Sequence, residues 1–165
     1  MADVSNSTLL NNIEGIRQLA DALVVLVKTE WNSDIVNELE KGCLMVLKEY
    51  SIPVKTIIVP GAVEIPFAIQ QCWANNNTPA AFIALGCVIR GDTPHFEYVC
   101  QSVTTGITSL NLSMQVPVIF GVLTVDTMEQ AKERIGGKHG HKGEEAAITA
   151  LKMMVLNNSL KEGEI

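Results

Sequence analysis

Short apolar runs alternate along the chain with longer stretches in which apolar residues recur every three to four positions. Residues 22–28 (ALVVLVK) form a continuous apolar run that predicts a strand buried on both faces. Asn32 or Ser33 can then cap a helix reaching about Tyr50, with Ile35, Leu39, Cys43, Val46 and Tyr50 on one stripe. Residues 55–59 predict a second strand, broken by Pro60-Gly61, and a helix starts near Glu64 with Pro66 in its first turn. The cluster at 75–79 predicts a turn, 81–88 a third strand, and the loop Gly91-Asp92-Thr93-Pro94 feeds a long helix over 95–113. Residues 118–123 predict a fourth strand, followed by a short helix from Asp126 or Thr127 to Ile135. A glycine-rich loop over 136–143 leads to a last helix from Glu144 to about Asn157.

Wholly apolar strands that alternate with helices predict a parallel sheet covered on both faces. The fold class expected is α/β, a three-layer α/β/α sandwich around a central four-stranded parallel sheet. Residues 1–20 are polar and weakly patterned and read as a flexible N-terminal arm, which leaves 21–165 as one domain. In open parallel sheets ligands bind beyond the carboxyl ends of the strands. The segments to inspect are therefore 29–33, 60–64, 87–95 and 121–127.

Composition narrows the partners. The 165 residues carry 12 Lys+Arg against 18 Asp+Glu, a net charge of −6. That balance argues against nucleic acid and against anionic membrane surfaces, both of which require basic patches. Charged residues make up 18% of the chain and mean hydropathy is +0.23, where ordinary soluble domains carry about 25% charge. So little polar surface points to a homo-oligomer. No apolar run approaches the roughly 20 residues of a membrane span, and the N-terminus lacks the pattern of a secretory signal. Cys43, Cys72, Cys87 and Cys100 form no CxxC pair and sit in apolar stretches, so they read as free thiols of a cytoplasmic protein.

The strand-end segments hold the candidate chemistry. Trp31 is either a packing residue or a flat platform for a heteroaromatic ring. Glu64, read alone, is a carboxylate favoured by the start of a helix. The backbone of Cys87, Val88 and Ile89 can pair with a planar polar ring as a strand edge would. Gly91, Thr93 and the amides opening the next helix form an anion seat. His95 at that helix start is the best acid/base candidate, since an imidazole with an ordinary pKa near 6.5 exchanges protons at neutral pH. The loop 136–143 collects Lys138, His139, His141 and Lys142, with Arg134 just before it. It does not fit the phosphate-loop pattern GxxxxGK[ST], and no Asp, Glu or Cys stands at ligand spacing from the histidines, so no metal is expected. A cationic cluster in an acidic chain favours an anionic substrate. These features alone describe a small-molecule enzyme with a phosphate-bearing substrate.

Four blocks in order carry a more specific message: PGAVEIPFA at 60–68, ALGCVIRGDTPHFEYVC at 84–100, PVIFGVLTVDTMEQAKER at 117–134 and GKHGHKGEEAA at 137–147. Together they resemble the lumazine synthase family over about residues 24–157. The resemblance implies a flavodoxin-like layout of the sandwich and a cofactor-independent transferase of riboflavin biosynthesis. It would condense 5-amino-6-(D-ribitylamino)uracil with 3,4-dihydroxy-2-butanone 4-phosphate to 6,7-dimethyl-8-ribityllumazine, phosphate and water. Carried over by motif position, Trp31 would stack on the pyrimidine, and Ala62, Val63 and Glu64 would hold the ribityl chain. Cys87, Val88 and Ile89 would meet the uracil edge through the backbone. Asp92, Thr93 and Arg134 would bind the phosphate side, and His95 would shuttle protons. Phe120 would close the pocket from a neighbouring subunit, and Lys142 would face the ring or the phosphate.

The resemblance also implies pentamers, and in some members 60-subunit capsids, together with association with riboflavin synthase. The short loop at 136–143 is that of capsid formers. Many members carry Phe where this chain has Trp31, and a basic or small residue in place of Glu30. Members with Trp there bind flavins, which extends the implied ligands to riboflavin. Two rival readings share the layered pattern. A non-catalytic flavin-binding or cage-forming protein would keep Trp31 but lose His95, Arg134 or Lys142, and all three are present. A receiver-type signalling domain needs an acidic cluster at the strand ends, where only Asp92 and Asp126 stand.

Overall fold

A computed structural model describes residues 19, 22–75 and 78–163. Four parallel strands make the central sheet: β1 (Val24–Thr29), β2 (Val54–Val59), β3 (Ala81–Ile89) and β4 (Val118–Val125), in the order β2-β1-β3-β4. Helices α1 (Ser33–Glu49), α2 (Ile65–Ala74), α3 (His95–Ser113), α4 (Met128–Lys132) and α5 (Lys142–Glu162) connect and follow them. A short hairpin, β5 (Ile135–Gly137) with β6 (Gly140–His141), precedes α5.

Side chains alternate across the strands with period two, and each set meets a different helical layer. Val24, Leu26, Ile83, Leu85 and Leu123 pack with Ile35, Leu39 and Leu47 of α1 and Leu151 of α5. Val25, Val27, Phe82, Ala84 and Val122 pack on the other face with Ile65 and Ile69 of α2 and Val103 and Ile107 of α3. Each large side chain fully removed from water contributes about 1.5–3 kcal/mol. The expected three-layer α/β/α sandwich with a four-stranded parallel sheet is the observed architecture.

Boundaries shift where tertiary pairing extends or trims an element. Val24 opens β1 because register sets it against Val54 and Ala81. Ala22 and Leu23 precede the ladder; the Ala22 amide donates to Leu19 and the Leu23 carbonyl accepts from Ala80. β4 runs on to Val125 because β3 reaches Ile89 and pairs with it there. A 3-10 turn over Ala62–Glu64 comes before α2, so Glu64 stands at the N-cap rather than inside the helix. The helix expected to reach Ile135 stops at Lys132, and Thr127 caps it by accepting from the Gln130 amide. The stretch 136–143 is not an open loop. Gly136 and Gly140, at φ 110 and 73, turn it into the hairpin, and α5 begins at Lys142. That last helix continues past Asn157 to Glu162 and ends on Gly163 at φ 71.

Of the segment 1–20 only Leu19 is described, and it lies in the α1/α5 core with 2% of its surface exposed. Part of the 75–79 turn cluster, residues 76 and 77, lies outside the described residues. Among the described residues no helix is long and apolar enough to cross a membrane.

Candidate active site

β1 makes its last pair with β3 at Lys28 and Leu85, yet β3 continues four residues further, to Ile89. Over that extension β4 pairs with β3 on one side only. The side that β1 would occupy is an open strand edge. A cavity of about 200 Å³ lies against it, lined by Cys87, Val88 and Ile89 together with Trp31, Asn32, Ala62, Gly91, Thr93, His95, Phe96 and Val99. This is the carboxyl end of the sheet, where the topology places a ligand site.

Each wall is built by a short connection. After β1, the Glu30 amide donates to Val59 and the Trp31 amide to Pro60, which ties this turn to the end of β2. Trp31 stands beside the cavity with 72% of its surface exposed. Asn32 occupies the N-cap of α1 in the left-handed conformation, and its carbonyl accepts from the Ile35 and Val36 amides. Its side chain makes no cap bond; the amide Nδ2 donates instead to the Cys87 carbonyl at 2.7 Å. Beyond β2, the Glu64 carboxylate folds back over Gly61, where an added Cβ would lie 3.0 Å from Oε2. A larger residue at 61 would therefore displace that carboxylate.

The third wall is the loop before α3. His95 opens the helix and its backbone amide lies 3.4 Å from the Thr93 hydroxyl. Both side chains line the cavity and are exposed. Burial pushes the Cys87 thiol up to about 11, so it stays protonated at neutral pH and is no nucleophile. Among the described residues no group of three or more His, Cys, Asp or Glu could hold a metal ion. Asp126, one of the two acids a receiver domain would use, is paired with Arg90 at 2.6 Å.

Eight of the residues singled out in the sequence for chemistry thus line one cavity: Trp31, Ala62, Cys87, Val88, Ile89, Gly91, Thr93 and His95. Val63, Glu64 and Asp92 neighbour it in the chain without lining it. Phe120, Arg134 and Lys142 lie elsewhere. Phe120 is half-buried on β4 against the α2/α3 layer. The half-buried Arg134 donates through NH1 to the Gln130 carbonyl at 2.8 Å. Lys142 is 3% exposed, and its ammonium bonds both oxygens of Glu145 at 2.8 and 3.0 Å. Asn32 entered the sequence reading only as a helix cap, and Phe96 and Val99 only as members of the block 84–100. The one signal for Asn32 was its residue type, which tolerates a left-handed turn and carries an amide long enough to bridge.

Comparison with known proteins agrees with this geometry. The family model for 6,7-dimethyl-8-ribityllumazine synthase matches residues 21–158. A protein of that name from Porphyromonas gingivalis is 52% identical, over 81% of this chain and 84% of its own length. Those from Cytophaga hutchinsonii and Phocaeicola vulgatus are 48% and 43% identical, over 84% and 85% of this chain and 89% and 84% of theirs. A match that spans all four strands, at this identity, leaves no other family to weigh: the chain belongs to the 6,7-dimethyl-8-ribityllumazine synthases.

Proposed function

We propose that the cavity at the open edge of β3 is where the chain condenses 5-amino-6-(D-ribitylamino)uracil with 3,4-dihydroxy-2-butanone 4-phosphate to 6,7-dimethyl-8-ribityllumazine. The observation that carries this reading is the unpaired edge of β3 beside an exposed indole and an exposed imidazole. A uracil presents alternating donors and acceptors along one side, which is what an unpaired strand edge satisfies. Trp31 covers the ring face and Ile89 offers backbone partners on the free edge, while the amide and carbonyl of Val88 turn to β4. The Cys87 carbonyl keeps one lone pair beside its bond from Asn32. Ala62, Val63 and Glu64 flank the ribityl chain, with the Glu64 carboxylate accepting from its hydroxyls. Thr93, Asp92 and the amides opening α3 stand on the phosphate side.

The substrate's own 5-amino group attacks the butanone carbonyl, and loss of water gives an imine. A proton then moves from carbon, phosphate leaves by elimination, and the ribityl-bearing nitrogen closes on the remaining carbonyl with loss of a second water. No step requires a protein nucleophile. Holding two reactants in register is worth about 7–11 kcal/mol, and a proton shuttle at His95 adds on the order of 10²–10⁴-fold.

Phe120 and Arg134 lie outside the cavity of their own chain, which supports their service to the cavity of an adjacent copy in a pentamer, whereas Lys142 is buried and its ammonium is held by Glu145. Arg134 would then bind the phosphate as a fork. Exposed apolar side chains such as Ile58, Phe67, Tyr98, Leu112 and Leu160 favour such an assembly. A 60-subunit capsid, association with riboflavin synthase and a cytoplasmic location rest on the resemblance and composition alone. A second ligand, riboflavin, is favoured by Trp31, whose exposed indole would stack on the flavin ring.

The test mixes the protein with both substrates and follows the absorbance of the conjugated product. The reading requires product well above the spontaneous rate. A rate equal to that background, with saturable riboflavin binding, would make the protein a flavin-binding scaffold instead.

A further inference from the structure

Arg90 follows the last residue of β3, and its backbone amide extends the ladder by donating to the Val125 carbonyl at 2.9 Å. Its guanidinium faces three partners. Nε donates to Asp126 Oδ1 at 2.6 Å, NH1 donates to the Glu97 carboxylate, and the Cζ carbon lies 4.2 Å over the Phe96 ring. Asp126 directly follows β4, while Phe96 and Glu97 belong to the first turn of α3. One planar group therefore joins both ends of the loop 91–95 and locks it to the neighbouring strand. An exposed ion pair alone contributes little, but two carboxylates and a stacked ring hold a guanidinium in one orientation. The two carboxylates also neutralise it, so its charge is committed within the protein rather than offered to a phosphate.

We propose that Arg90 is a positioning residue that fixes the loop 91–95, and with it Thr93 and His95, against the open edge of β3. The proposal rests on the reading of this cavity as the lumazine-forming site. Among the described residues no other side chain makes such a tie to the loop: a Cβ added at Gly91 would meet nothing within 4 Å, and Asp92, Thr93 and His95 are all exposed. Phe96 turns one face to Arg90 and also lines the cavity, which carries the constraint directly to the wall. Arginine is required rather than lysine, because an ammonium cannot bond two carboxylates in a fork and stack at once.

The assembled Arg90→Ala and Arg90→Lys proteins are compared with wild type for kcat, for KM toward each substrate, and for backbone amide exchange without substrate. The expected result is a fall of about tenfold or more in kcat, or a rise of that size in KM for the phosphorylated ketone, in both variants. KM for the ribitylaminouracil should change less than about twofold, since Trp31 and the strand edge are untouched. Amides 92–96 should exchange about tenfold faster while those of β3 and β4 do not. Unchanged exchange and kinetics, or a parallel loss toward both substrates with a falling melting temperature, would overturn the proposal. An inactive wild type would sink the reading of the cavity instead, and the exchange experiment would still decide whether Arg90 fixes the loop.

Discussion

The side-chain amide of Asn32 donates to the backbone carbonyl of Cys87 across 2.7 Å, joining the turn after β1 to the free edge of β3. Asn32 adopts φ 56 and ψ 41 to do so, a conformation that costs most residues about 1–2 kcal/mol and asparagine less. Asn32→Gly removes the bridge but relieves the backbone, so its stability should stay within about 1 kcal/mol of wild type. Asn32→Ala loses both and should fall by about 2 kcal/mol. Both should bind the ribitylaminouracil several-fold more weakly, because Trp31 and the strand edge lose their common tie. Urea unfolding and equilibrium binding separate the two effects, and tight binding by the glycine variant would show the bridge to be structural only.

His95→Ala should slow product formation by roughly 10²-fold and not abolish it. The attacking nitrogen belongs to the substrate, so only proton transfer is impaired. Steady-state rates of the assembled variant check this, and complete loss of turnover would assign His95 more than a shuttle.

Where α1 crosses α5, an added Cβ at Gly143 would lie 2.0 Å from the Leu39 carbonyl oxygen. Backbone cannot rotate away as a side chain can. Gly143→Ala should cost about 3 kcal/mol or more, enough to prevent assembly. Gly91→Ala, with nothing within 4 Å, should change thermal stability by less than about 0.5 kcal/mol. Equal melting temperatures for the two would contradict the close crossing.

Cys43, buried under the same crossing, donates its S–H to the Gly143 carbonyl at 3.0 Å. Burial, helped by the nearby Glu40 charge, pushes its thiol from 9.0 up to about 12. The folded state therefore keeps a proton that the unfolded chain releases above pH 9. This contribution is complete below about pH 9 and is lost as pH rises toward 12, by up to about 1.4 kcal/mol per pH unit. Wild type should lose stability faster than Cys43→Ala across that range in urea titrations. A constant gap between them would mean that Cys43 does not titrate on unfolding.

How much of this the sequence could carry depends on the distance over which each feature acts. The bounds of α3 are visible because Gly91, Pro94 and the period that follows are local signals, and most of the cavity lining follows from the rule for strand ends. The Asn32–Cys87 bond spans 55 residues and the Arg90–Asp126 pair 36, and no local pattern reports either. The hairpin at β5 and β6 was hidden because two glycines at positive φ and a single short pairing look like any polar loop. Lys142 read as a cation for substrate, yet the start of α5 buries it against Glu145; composition reports charge, not its partner. The low charged fraction hinted at exposed apolar surface, which the structure locates at residues such as Leu112 and Phe67.

The most direct test of the cavity as the lumazine-forming site is a fluorescence titration with the ribitylaminouracil in a Trp73→Phe background. That substitution, at a half-buried residue of α2 away from the cavity, leaves Trp31 as the sole indole. A saturable change in emission, whose midpoint rises when Glu64 is replaced by Gln, would place the pyrimidine on Trp31 and its side chain beside Glu64. No change in emission, in protein that still forms product, would put the chemistry somewhere other than this cavity.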